Sequence, residues 1–141
     1  MTEQRYRMCS RAREHFPALL EHKQAAIKVI AMPADANMNG DIFGGWLMSQ
    51  IDLAGLVPTQ RVSGGRAATV AVNNILFRAP VYIGDLVCCY TEITKVGNTS
   101  VTVQIEVVAE HSDLSLPDHV ASAELIYVCI DAEGKKRRVK A

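Results

Sequence analysis

An excess of charge of either sign is missing from this sequence. Its 15 lysine and arginine residues balance 15 aspartate and glutamate residues, so no strong field draws it to a polyanion or an anionic surface. No nucleic acid and no membrane is therefore expected as a partner. No apolar run approaches the roughly 20 residues of a bilayer-spanning helix. Arg5, Arg7, Arg11 and Arg13 lead into no hydrophobic segment and are mixed with Glu3 and Glu14. Neither a secretory signal nor a transit peptide is expected there, and the expected location is cytoplasmic. Cysteine is sparse, and Cys9, Cys88, Cys89 and Cys129 include no Cys-x-x-Cys pair. Cys88 and Cys89 are adjacent in a strand-like run and face opposite sides, so they cannot converge on one metal. Free, reduced thiols and no metal site are expected. Gly-x-Ser-x-Gly, the Rossmann glycine pattern and the Walker loop are all absent, which excludes a nucleophile elbow and the common phosphate-binding loops.

What is present is a chain of 141 residues, 49% hydrophobic, enough for one domain with a real core. It turns on residues 37–57. Asn37 to Gly45 is a loop rich in Asn, Gly and Asp. Beyond Gly45 the pattern becomes helical, with Leu47, Ile51 and Ala54 on one face and Met48 and Gly55 widening it. The other face lacks Lys and Glu, so the helix is expected to be buried nearly all round, and Pro58 to end it. Asp41 lies just before this helix and Asp52 within it. The Gly44-Gly45 pair admits close approach of a ligand, and free amides at a helix start stabilise developing negative charge. An acyl-transfer site could be built this way. The same residues could also be a Gly-rich turn, an N-capping Asp and a hydrogen-bonded core Asp.

The rest of the chain reads as strands. Ala25–Ala31 is a first strand closed by Pro33, and residues 61–66 form a loop. Ala67–Phe77 is β-branched at Thr69, Val70 and Val72. Asp85–Val96 and Ser100–Glu110 form a hairpin about Gly97-Asn98, with alternation at Val101, Val103, Ile105 and Val107. His111–His119 is a polar loop, Val120–Asp131 a last strand, and Lys135–Lys140 a basic end. This is an α+β layout, an antiparallel sheet wrapped around one long buried helix. Residues 1–24 are polar and basic, with a helical stretch at Arg11–Lys23, and form an N-terminal extension to a single domain over 25–141.

Asn39-Gly-Asp-Ile-Phe-Gly-Gly-Trp46, followed by Met48-Ser-Gln-Ile-Asp-Leu-Ala-Gly55, closely resembles the hotdog-fold acyl-CoA thioesterases, in particular the bacterial YciA-like group. The resemblance continues through Met32–Asp35, Thr69–Val72, Phe77–Pro80, Gly84–Tyr90 and Lys95–Ser100, and so covers roughly residues 25–131 in the family's order. It implies a hotdog fold and an acyl-CoA substrate hydrolysed to free acid and CoA. Coenzyme A is then part of substrate and product, and no separate cofactor is expected. It also implies a homo-oligomer, a dimer or trimer of dimers, with sheets joined edge to edge. His15-Phe16-Pro17 resembles the active-site motif of the hotdog dehydratases, but the Pro-Gly pair expected after it is missing and it precedes the first strand.

Within that resemblance the catalytic candidates are Asp41, Gly45 and Asp52. The amides of Gly44, Gly45 and Trp46 can polarise the thioester carbonyl with help from the helix dipole. Asp41 can act as general base or nucleophile, and the resembled group carries its catalysis on a carboxylate at this position. Asp52 lies seven residues past Gly45, roughly 10 Å along a helix at 1.5 Å per residue. In related thioesterases an acid on this helix serves the partner subunit's site, so Asp52 is the second candidate, with a structural role as its alternative. Arg78 and the turn containing Lys95, Asn98, Thr99 and Ser100 are candidates for the coenzyme's phosphates, or else a surface arginine and a solvated turn. A non-catalytic acyl-CoA sensor is the competing function, and a hotdog dehydratase a third.

Overall fold

The computed structural model describes residues 23–139. The expected helical stretch at Arg11–Lys23, all but Lys23 of it, lies outside those residues, as do His15-Phe16-Pro17 and Cys9. Strand β1 (Ile27–Ile30) leads through a single 3-10 turn (Pro33–Asp35) and a loop into helix α1 (Gly44–Ser63). Four long strands follow: β2 (Ala67–Phe77), β3 (Leu86–Val96), β4 (Ser100–Glu110) and β5 (Asp118–Cys129). They form one antiparallel sheet in the order β1-β3-β4-β5-β2, and the helix lies across one face of it.

Alternation builds that face. Val101, Val103, Ile105 and Val107 of β4 are fully buried, while Thr102, Gln104 and Glu106 between them face the other way. From β5, Ala121, Ala123, Leu125, Tyr127 and Cys129 join the same core. Leu47, Ile51, Ala54, Gly55, Thr59 and Ser63 of α1 pack down on it at helical spacing. Contact is closest at Gly55, where a Cβ would overlap the Tyr127 hydroxyl and reach 2.9 Å from Ile105 Cδ1. That hydroxyl donates to the Asp52 carbonyl at 2.7 Å. Only glycine lets the helix come this near.

Two expectations about the helix are corrected. Pro58 does not end it; the helix runs on to Ser63 and closes at Gly64, left-handed at φ 69° with its N–H on the Gln60 carbonyl. Proline removes one helical hydrogen bond, but packing on both sides of it holds the helix together. Thr59 and Ser63 beyond it are buried on the sheet, the Thr59 hydroxyl donates to the Gly55 carbonyl, and Arg137 Nη1 donates to the Ser63 carbonyl at 2.9 Å. Nor is α1 buried all round in one protomer. Leu53 is 53% and Met48 42% exposed, as are Val70, Val72 and Leu76 on the edge strand β2. An unpaired edge and a helix face that are both apolar mark a contact surface.

A third correction concerns the histidines, expected in a polar loop. His111 is buried, and His119 is a buried residue of β5 paired with Val108. The strand therefore starts at Asp118 rather than Val120. Cys88 and Cys89 do face opposite sides of β3, and burial pushes their thiols up to about 11 and about 12, so both stay protonated and unreactive. Cys129 is also a free, buried thiol. No helix among the described residues is long and apolar enough to cross a membrane.

Candidate active site

The loop before α1 is held by its own backbone. The side-chain oxygen of Asn37 accepts from the amides of Asn39 and Asp41, and Gly40 takes the left-handed conformation at φ 83° that closes the turn. Ile42 N–H donates to the Val81 carbonyl at 2.9 Å, and Asp41 bridges Tyr82. The chain is thus delivered to the helix start at a fixed register. The N-cap residue is Phe43, which offers no side-chain cap, so the first amides of α1 keep the donor capacity that a helix start leaves over. Asp41 is not the N-cap.

Beside those amides lies a cleft of about 370 Å³, lined by Ile42, Gly44, Leu47, Phe77, Arg78 and Val81 among others. A Cβ on Gly45 would meet open space, and one on Gly44 only ordinary contact with the Phe77 ring at 3.5 Å. Packing within the protomer does not demand glycine at either position, and the space over Gly45 is open. Arg78 reaches the cleft wall with one guanidinium nitrogen donating to Ser122 Oγ at 3.1 Å.

A second cleft, about 230 Å³, opens further along the same helix between Met48, Asp52, Thr69 and Val72. The Thr69 hydroxyl donates to Asp52 Oδ1, aiming the carboxylate across the outward face of α1 towards β2. Asp41 lines neither cleft, although its neighbour Ile42 and then Gly44 line the first. Along the helix, Gly45 and Asp52 are roughly 10 Å apart, so one protomer does not bring them to one carbonyl.

The phosphate candidates also separate. Arg78 N–H donates to the Val120 carbonyl, at the start of β5, whereas the Thr99 carbonyl accepts from Cys129 at its end. Nine steps along the strand, roughly 30 Å, separate them. In the turn, the Asn98 carbonyl accepts from Val139 and the Ser100 carbonyl from Gly97. Lys95, Asn98, Thr99 and Ser100 stay together, apart from Arg78. Sequence reasoning missed the buried group of Asp85, His111 and Asp118, because its members come from three segments and no local spacing announces it.

A sequence model of the thioesterase superfamily matches residues 39–116, more than half of the chain and including both clefts' helix. The chain belongs to the thioesterase superfamily. Its relatives include the acyl-CoA thioester hydrolase YciA of Escherichia coli K12, 44% identical over 114 residues that cover 79% of this chain and 86% of the relative. YciA of Salmonella typhimurium is 43% identical over 117 residues, covering 81% and 88%. Among solved structures, a hexameric hotdog-fold thioesterase of Campylobacter jejuni superposes with a TM-score of 0.80 at 40% identity, covering 84% of this chain and 91% of that one. A hexameric broad-specificity acyl-coenzyme A thioesterase superposes with a TM-score of 0.78 at 36% identity, covering 84% and 82%. The fold of this thioesterase-superfamily chain is the hotdog fold: one long helix held by a five-stranded antiparallel sheet.

Proposed function

We propose that the protein is an acyl-CoA thioester hydrolase whose site is completed between two protomers, with Asp52 of one serving the helix start of the other. The observation that carries this is the pair of clefts on one helix. An uncapped Gly44-Gly45 start opens on the first and a Thr69-oriented carboxylate on the second, too far apart to act together in one chain. The apolar outward face of α1 and the β2 edge supply a surface for a partner, and the solved relatives are hexamers. A dimer of this kind, three of which make a hexamer, puts each Asp52 against the partner's first cleft.

In that site the amides at Gly45 and Trp46 hold the carbonyl oxygen of the thioester, and the dipole of α1 adds to their pull. Asp52 takes a proton from water as its oxygen attacks the acyl carbon. The tetrahedral oxyanion collapses, the carbon–sulfur bond breaks, and the sulfur leaves as the CoA thiolate, which takes the proton held by Asp52 and returns that carboxylate to its starting state. The products are a carboxylic acid and CoA. Asp41, the first choice on sequence grounds, becomes a residue that orders the loop through its backbone. Arg78 at the first cleft supplies a cation for a coenzyme phosphate, and the Lys95–Ser100 turn can join it only from another protomer. The free thiols Cys88, Cys89 and Cys129 suit a reducing, cytoplasmic setting.

A series of acyl-CoAs of rising chain length, followed with a thiol-reactive dye, tests the reading. Release of CoA is the expected result. Binding without release makes the protein an acyl-CoA sensor, and a change at the 2,3 double bond makes it a dehydratase; either result ends the hydrolase reading.

A further inference from the structure

Asp85, His111 and Asp118 meet in the interior although they come from the turn before β3, the residue after β4 and the first residue of β5. The side chains of Asp85 and His111 are fully buried and that of Asp118 nearly so. His111 Nδ1 lies 2.9 Å from Asp85 Oδ1, and Nε2 lies 2.8 Å from Asp118 Oδ2. A neutral imidazole carries one N–H, so it can satisfy only one of these carboxylates; the geometry calls for the doubly protonated ring. The hydrogen bonds it donates to Asp118 and Asp85 outweigh burial and raise its pKa to about 9. Both carboxylates also act on it through their charge.

The cluster is tied to the helix start. Asp85 Oδ2 accepts from the Tyr82 amide at 2.9 Å, and the Asp85 amide returns to the Tyr82 carbonyl at 3.0 Å. Gly84 takes φ +91° between them and donates to the Ala31 carbonyl. Tyr82 bridges Asp41, Val81 accepts from Ile42, and Val81 also lines the first cleft. Gly44 follows two residues after Ile42.

We propose that His111 is a positioning residue for hydrolysis: gripped by Asp85 and Asp118, it fixes the Val81–Asp85 turn, and through Tyr82 and Val81 it sets where the Asp41–Phe43 segment delivers the Gly44-Gly45 amides. This rests on reading the first cleft as the place where the thioester carbonyl is held. Asp85 is the link, because the same carboxylate holds the ring with one oxygen and the turn with the other. Loss of the ring proton leaves one carboxylate facing a lone pair, and the turn loses its anchor without losing any core contact.

The test has one arm that reads catalysis and one that does not. His111→Gln carries both its N–H donors on one nitrogen and presents an acceptor oxygen at the other end, so it cannot replace donors at both Nδ1 and Nε2. It is expected to lower kcat by about tenfold or more, with KM changed less than about threefold, because misplacing a reacting group by about 1 Å can cost ~10²-fold. In the unaltered protein, amide exchange at Tyr82 and Ile42 should accelerate beyond its intrinsic base dependence as pH passes about 9, while Ile105 in β4 does not follow. This arm needs no activity, so it stands even if the protein hydrolyses no thioester. His111→Gln with kcat within about twofold of the parent overturns the proposal, since a lost positioning contact costs more than that. So does exchange at Tyr82 and Ile42 that merely tracks Ile105. Faster exchange without a change in kcat makes His111 a residue of the fold alone, and overturns the proposal as well.

Discussion

If the site is shared between protomers, two dead variants must rescue each other. Asp52→Asn removes the base but keeps an oxygen for the Thr69 hydroxyl, so the fold should be untouched. Loss of a general base typically costs about 10²–10⁴-fold. Gly45→Val places a side chain where a Cβ now meets nothing within 4 Å, which fills the space over the amides and should abolish turnover without disturbing the core. Each variant alone is expected to be nearly inactive. Mixed by co-expression, a given site is intact when its base comes from a Gly45→Val chain and its helix start from an Asp52→Asn chain. Random pairing meets each condition half the time, so a twofold-symmetric assembly should recover about one quarter of the parent's activity per protomer. The quarter is independent of whether the dimers go on to form a hexamer. Thiol release from a short acyl-CoA, measured on the mixture and on each parent variant, decides the matter. No recovery above the better of the two variants, with mixed oligomers shown by two affinity tags, refutes a site built from Asp52 and the partner's Gly45.

Gly55→Ala should destabilise despite the better helix propensity of alanine: overpacking costs about 1–3 kcal/mol, and Tm should fall by several degrees, with partial recovery in Gly55→Ala/Tyr127→Phe. Arg78→Ala should raise KM for acyl-CoA much more than it lowers kcat and matter little for a truncated thioester lacking the nucleotide; equal losses on both would assign Arg78 to the fold through Ser122. The raised pKa of His111 also sets the pH dependence of stability. Its folded value of about 9 lies above the ordinary 6.5, so its contribution is complete below about 6.5 and is lost as pH rises through about 9. Denaturant midpoints should fall over that window in the parent, and the slope should be smaller in His111→Gln.

The fold was legible where one period ruled a long segment. Val101 to Val107 alternate without a break, and β2 and β4 begin and end where the pattern does. The helix was legible in its first three turns and misread at Pro58, because a local rule about proline says nothing of Thr59, Ser63 and Arg137 anchoring the last turn to the sheet. Its expected burial failed in a more instructive way. Absence of Lys and Glu from a helix face reports that the face meets something apolar, and in a single protomer that something is not there; Leu53 and Met48 lie open. The site divides along the same line. Gly44-Gly45, Asp52 and Arg78 were candidates through residue type and family resemblance together, each with a structural alternative, and Asp41 stood ahead of Asp52. What sequence could not give was distance: Arg78 and the Lys95–Ser100 turn look like one cluster until β5 is seen to run between them. Asp85, His111 and Asp118 form the opposite case, three residues of no evident kinship that antiparallel pairing of β3, β4 and β5 carries to one point. Asp85 read as the first residue of a strand, and His111 and Asp118 as part of a polar loop; strand register makes them a buried cluster.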